Sequence, residues 1–140
     1  MTGRRSARRT AIDILYQADI TKEAAPQVLS DWVAAGQSVP PFAQELVEGV
    51  TEHEPEIDLL LEEYVEGWTV ARMATLDRTI LRVAVEELLH RPEVPASVAI
   101  SEAVEAASDL SADESRRFVN GILGPIARAV RPDAPMEPGA

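Results

Sequence analysis

Apolar side chains recur at spacings of three and four along nearly the whole chain, and no segment alternates apolar with polar residues as a half-buried strand does. The pattern predicts an all-α fold. A first helix is expected from Arg4 to Ile20, with Ala7, Ala11, Ile14, Leu15 and Ala18 on one face. A second is expected from Pro26 to Ala35, where Val28, Leu29, Trp32 and Val33 precede the stop at Gly36. Residues 36–41 read as a linker. Beyond Pro40 and Pro41 a third helix runs to about His53 through Phe42, Leu46, Val47 and Val50. Pro55 suits the opening of a fourth, striped by Ile57, Leu60, Leu61 and Tyr64 or Val65 and closed by Gly67. Trp68 to Ala74 reads as a connecting turn.

The strongest stripe follows, from Leu76 to Arg91, with Ile80, Leu81, Ala84, Val85 and Leu88 facing inward and Pro92 to Pro95 ending it. Ala96 to Leu110 gives a sixth helix whose face of Ala99, Ala103, Ala106, Ala107 and Leu110 permits close packing. Ser111-Ala112-Asp113-Glu114 has the spacing of a capping box, in which the Ser hydroxyl accepts a backbone N–H and the Glu reaches back. The seventh helix starts there, carries Phe118, Val119, Ile122, Leu123 and Ile126, bends or weakens at Gly124-Pro125 and fades before Arg131-Pro132. Residues 1–132 thus read as one helical domain. From Asp133 the chain has no stripe to bury, so residues 133–140 are expected to be a disordered tail.

A length of 140 residues with 46% hydrophobic and 26% charged residues fits a globular domain, and no window holds the roughly 18 apolar residues of a membrane span. The absence of cysteine excludes a disulfide scaffold, and the first residues lack the form of a secretory signal, so a cytoplasmic location is expected, with no membrane partner. Charge is distributed unevenly. Arg4, Arg5, Arg8 and Arg9 precede any acid, leaving nine basic against 24 acidic residues in the rest of the chain. A basic arm thus precedes an acidic body, as expected of a chain whose arm meets a polyanion; the alternative is a solvated, fraying terminus.

The inventory for catalysis is thin. It comprises two histidines, no cysteine, no phosphate-binding glycine loop and no sequence spacing of metal ligands, so neither catalysis nor a cofactor is expected. His53 and His90 stand near predicted helix ends, where a cation suits the dipole, and Glu62, Glu63, Glu66, Glu86 and Glu87 read as a solvated face. At about 100° per residue, Arg4, Arg5, Arg8 and Arg9 span roughly 140° of the first helix, and Tyr16 falls within that arc. Guanidinium groups beside an aromatic ring suit single-stranded RNA, the former neutralising phosphates and the latter stacking on a base; the competing role for Tyr16 is cover for the core edge. Arg116 and Arg117 lie in the first turn of the last helix, where cations oppose the macrodipole, which hints at use elsewhere. Among Arg72, Arg78 and Arg82, ion pairing is favoured over RNA contact, with Glu86 four residues beyond Arg82.

Four segments in order carry a resemblance: Arg4-Arg5-Ser6-Ala7-Arg8-Arg9 leading into Ala11 to Tyr16; Leu76-Asp77-Arg78-Thr79-Ile80-Leu81-Arg82-Val83-Ala84; Val94-Pro95 through Ala99-Ile100-Ser101-Glu102-Ala103-Val104-Glu105; and Arg117-Phe118-Val119-Asn120-Gly121-Ile122-Leu123. Over about residues 4–131 the chain resembles the NusB family of transcription antitermination factors. The resemblance implies two packed three-helix bundles, no catalytic activity, and binding to the boxA element of ribosomal RNA leaders together with the ribosomal protein NusE within RNA polymerase antitermination complexes. It implies an RNA face of Arg4, Arg5, Arg8 and Tyr16, to which the charge pattern adds Arg9, Arg116 and Arg117. The family's contacts at the last helix carry over to Glu114 and Ser115, and those beside its fifth helix to Asp77.

In that setting Glu114 has two readings, a pure cap or a carboxylate that also accepts from a base amino group. Asn120 reads as a buried or partner-facing hydrogen bonder and Gly121 as a close helix contact. Two positions depart from the family pattern, Ser101 in place of Asn or Asp and Glu86 in place of an aromatic, which puts packing or partner contacts on that face in doubt. Two further classes stay open: a protein-interaction adaptor of the same fold, and the RNA-binding part of a ribosomal RNA methyltransferase. Monomer and homodimer are equally compatible with the sequence.

Overall fold

Six α-helices and one short 3-10 turn make up residues 3–65 and 69–133, the parts described by a computed structural model, with no strand among them. The helices are α1 (Gly3–Thr21), α2 (Ala25–Ala34), α3 (Pro41–Tyr64), α4 (Thr75–His90), α5 (Ala96–Leu110) and α6 (Asp113–Val130). Helices α1 to α3 form one three-helix bundle and α4 to α6 a second. Helix α4 lies on the seam, packed against α1 and α3 as well as α5 and α6. No helix among the described residues is long and apolar enough to cross a membrane. Glu66, Gly67, Trp68 and the tail beyond Asp133 lie outside the described residues, and with them the predicted stop at Gly67 and the predicted tail.

Most of the predicted stripes are the observed core, but Val33 of the α2 stripe is exposed. Ala7, Ala11, Ile14, Leu15 and Ala18 are buried on α1, and Val119, Ile122, Leu123 and Ile126 on α6. Each fully buried Leu or Ile contributes about 1.5–3 kcal/mol relative to an exposed one. Leu110 departs from the expected small-residue face and is exposed. The tie between α1 and α2 includes Trp32, whose Nε1–H donates to Gln17 Oε1 at 3.0 Å.

Helix α3 corrects the expected count of seven helices. Pro55 does not start a helix but lies inside one that runs from Pro41 to Tyr64. A proline interior to a helix removes one N–H donor and costs about 3 kcal/mol. Here Leu46, Val50, Ile57 and Leu61 keep a single helical phase across it and are all buried, so packing on both sides offsets the loss. Pro125 likewise sits within α6, which is assigned helical without interruption through Gly124. The connection after α3 contains a 3-10 turn over Val70–Arg72.

Three other expectations are corrected. The capping box does not form: the N-cap of α6 is Ala112 with no side-chain cap, and the Ser111 and Ser115 hydroxyls bond each other at 2.9 Å. Gly121 makes no close contact, whereas Gly49 fills the close-packing role, since a Cβ there would collide with the Glu86 carboxylate; Asn120 is exposed, which leaves the partner-facing of its two readings. Glu86 and Glu87 do not face solvent; they are 3% and 1% exposed. The cause is tertiary: α4 is covered by neighbouring helices, so ten of its sixteen residues are buried and even its polar positions meet other helices.

Candidate nucleic-acid interface

The arginine arm is helical from Gly3 onward and forms the first two turns of α1. Its apolar side docks the helix, and the guanidinium groups spread over what lies beside it. Arg4 stacks over the Phe42 ring, 4.2 Å from the centroid, with Glu93 at 3.8 Å. Arg5 donates from Nε and Nη2 to Glu102 at 3.2 and 2.8 Å, and Arg9 donates to Asp109 at 3.0 Å. These pairings order α1 alongside α5. Phe42, which sequence reasoning did not single out for the site, also has Arg8 and Arg91 5.5 Å from its centroid.

Arg8 behaves differently from its neighbours. It is 6% exposed and donates from Nε and Nη2 to the Glu87 carboxylate at 2.8–3.0 Å. This buried fork ties α1 of one bundle to α4 of the other. Burial pushes the Glu87 carboxyl above its ordinary range, and the Arg8 guanidinium only partly offsets that rise. Arg8 is therefore placed in the core of the molecule rather than on the exposed arc with Arg4, Arg5 and Arg9.

The Glu102 carboxyl is held below its ordinary range, chiefly by the hydrogen bond from Arg5. Its folded value lies below the unfolded one, so the pair stabilises the fold above the unfolded value, and that contribution is lost as pH falls through the lowered one. The pair is partly exposed and screened by solvent, so its contribution is small. Glu102→Gln is expected to make the acid limb of a stability–pH curve slightly shallower; an identical or steeper limb in urea titrations would contradict this account.

The other predicted residues fall in separate places. Tyr16 is 38% exposed and nearly in line with Arg9 about two turns further along α1. Arg9 reaches Asp109 at the C-terminal end of α5, and α6 begins just beyond, so Glu114, Ser115, Arg116 and Arg117 follow the end of α5 that Arg9 contacts. Glu114 is exposed and lies in the first turn with Asp113, where a carboxylate suits the helix dipole, while Ser115 is buried. Arg116 and Arg117 are exposed, form no salt bridge among the described residues, and line a recess of about 350 Å³ with Val104, Asp113 and Asn120. Asp77 is buried in the first turn of α4, its Oδ1 without a hydrogen-bond partner among the described residues.

Ion pairing accounts for two of the three central arginines. Arg78 donates to Asp19 at 2.9 Å and to the Val70 carbonyl at 3.1 Å; Arg82 forks onto Asp58 at 2.9 and 2.8 Å rather than onto Glu86. The arrangement as a whole defines a class: an all-helical, two-bundle protein with a partly exposed arginine face at the start of its first helix and further free arginines at the start of its last.

The chain belongs to the NusB family, whose family model matches residues 5–128. It is 46% identical over 127 residues to the transcription antitermination protein NusB of Acidothermus cellulolyticus, covering 90% of this chain and 88% of that one. With its counterpart in Saccharopolyspora erythraea it shares 50% identity over 131 residues, 91% of this chain and 88% of that one. Among solved structures it is similar to T. maritima NusB, with a TM-score of 0.80 at 33% identity over 89% of this chain and 90% of that one. It is also similar to a chain in the crystal structure of the antitermination factors NusB and NusE in complex with double-stranded RNA, with a TM-score of 0.81 at 25% identity over 92% and 98%.

Proposed function

We infer that this protein is an RNA-binding transcription antitermination factor that recognises boxA of ribosomal RNA leaders with NusE and joins RNA polymerase antitermination complexes in the cytoplasm. It acts by binding rather than catalysis. The observation that carries this reading is the face of exposed Arg4 and Arg5 and half-buried Arg9, followed by Tyr16, on a chain similar to the NusB of a NusB–NusE–RNA complex. Tyr16 offers a ring for an unpaired base, and Arg116 and Arg117 extend the positive surface to the start of α6. Asp77, Glu114 and Ser115 are proposed to support the RNA or partner contacts. The helical domain is proposed to span residues 1–132.

Binding requires an exchange. Each exposed arm arginine already holds a carboxylate, and exposed pairs of this kind are worth about 0–1 kcal/mol, so phosphate replaces them at little loss. Arg8 takes no part, because leaving Glu87 unpartnered is costly. Three arm arginines then give a log–log salt slope near −2 for single-stranded RNA, and adding Arg116 and Arg117 brings it to about −3.5.

Fluorescence anisotropy of a boxA RNA and a scrambled control, with and without NusE, tests this reading. Preference for boxA, tightening with NusE and weakening on Arg5→Ala/Arg9→Ala with unchanged helix content, is the expected result. Equal, feeble binding to both RNAs, indifferent to NusE, would overturn it. One observation favours the adaptor as a second reading: every arm arginine is engaged by a carboxylate of the same chain. For an adaptor, the double replacement leaves NusE affinity intact and there is no RNA binding to lose.

A further inference from the structure

Two adjacent buried carboxylates on α4 are treated in opposite ways. Glu87 receives the Arg8 fork, whereas Glu86, with its side chain 4% exposed, has no arginine or lysine within salt-bridge distance among the described residues. Its partner is His53 of α3, whose Nδ1 lies 2.8 Å from Glu86 Oε1. Glu86 and His90 stand four residues apart on one face of α4, and the His90 ring stacks on that of His53 with centroids 3.7 Å apart and planes 17° from parallel. Glu56 holds His90 Nε2 at 2.8 Å, and Glu52 lies 3.7 Å from His53 Nε2.

This is a concentration of negative charge with an unfilled need. Three carboxylates, Glu52, Glu56 and Glu86, gather about the two imidazoles, and a divalent ion meets that charge directly. Gly49, one turn before His53, lets the Glu86 carboxylate lie close against α3 beside His53, since a Cβ there would collide with it. One ligand atom from each of His53, Glu86 and His90 lies within 4.8 Å of the others. Bonds of about 2.0–2.2 Å in a tetrahedral site place ligand atoms about 3.3 Å apart, so the set closes when the two rings turn out of their parallel stack.

We propose that His53, Glu86 and His90 form a binding site for a divalent transition-metal ion of the zinc type, spanning the seam between the two bundles. Two imidazoles and a carboxylate select Zn²⁺, Co²⁺ or Ni²⁺ over Mg²⁺ or Ca²⁺, which want oxygen ligands throughout. The ion takes the place of the proton between His53 Nδ1 and Glu86, and that proton leaves to solvent. Glu56 orients His90 from outside the set or completes the coordination with water. Because α3 and α4 belong to different bundles, the bound ion staples them together.

The test is calorimetric titration of the untagged full chain with ZnCl₂ near neutral pH in two buffers of different ionisation enthalpy, alongside CoCl₂ titration followed by visible absorption. Expected are one ion per chain, proton release on binding, a d–d spectrum of low-coordinate Co²⁺, and a raised Tm. His53→Gln and His90→Gln, each checked for unchanged helix content, are expected to abolish saturable binding, and Glu56→Gln to weaken it by about 10- to 100-fold. Absence of saturable Zn²⁺ and Co²⁺ binding by the wild-type chain, or binding unchanged in folded His53→Gln and His90→Gln, would overturn the proposal.

Discussion

Arg8→Ala is expected to lower stability by about 3–5 kcal/mol, the usual loss when one partner of a buried pair is removed and the other charge is left behind. Glu87 is 1% exposed and has no other guanidinium fork to turn to. For a chain of this length the loss corresponds to a fall in Tm of about 10–20 °C by far-UV circular dichroism. Because Arg8 ties α1 to α4, the variant also loosens one bundle against the other. Arg8→Leu/Glu87→Leu is expected to recover most of the stability, since replacing both charges by apolar groups is often neutral. Arg5→Ala serves as the contrast: its pair is exposed, so Tm hardly moves. If Arg8→Ala melts like Arg5→Ala, the buried fork is not what holds the two bundles in register.

Arg131→Ala is expected to have the next largest effect, about 3 kcal/mol in urea unfolding. This guanidinium donates to the carbonyls of Leu88 at 2.9 Å and of Glu87 and Arg91 at 2.8 Å, and also to that of Val94. Three of these carbonyls belong to the last turn or the C-cap of α4, a helix end rich in unpaired acceptors and partial negative charge. One side chain following α6 therefore caps a helix of the same bundle forty residues earlier in the chain. Arg131→Lys is expected to recover only part of the loss, because an ammonium group lacks the planar fork that reaches several carbonyls at once. A full rescue by lysine would show that charge alone, without the fork, satisfies the helix end.

Much of this fold was legible because its helices are amphipathic and separated by proline and glycine. The inward faces of α1, α5 and α6 follow from spacing alone, apart from the exposed Leu110 at the end of α5. The local preference of Pro55 predicts a break in α3, but the phase of the stripe overrides it, since Leu46, Val50, Ile57 and Leu61 run through Pro55 in register. The site was legible in its charge and only partly in its geometry. Arg8 lies one turn before Ile12, which is buried, so helical phase carried a signal that it turns inward. Glu86 and Glu87 gave no such signal, because their burial depends on helices distant in sequence. The same holds for the meeting of His53 with His90, which requires the packing of α3 on α4.

The carboxylates along the arm have a consequence for selectivity by valence. Glu93, Glu102 and Asp109 each occupy an arginine that an incoming anion would use. A lone phosphate or a free nucleotide displaces one carboxylate and gains almost nothing. A strand that presents phosphates in succession makes every displacement after the first intramolecular, at high effective concentration, and so accumulates the small differences into affinity. In the proposed RNA-binding role, the acidic lining would set a threshold that favours polymeric over small anions.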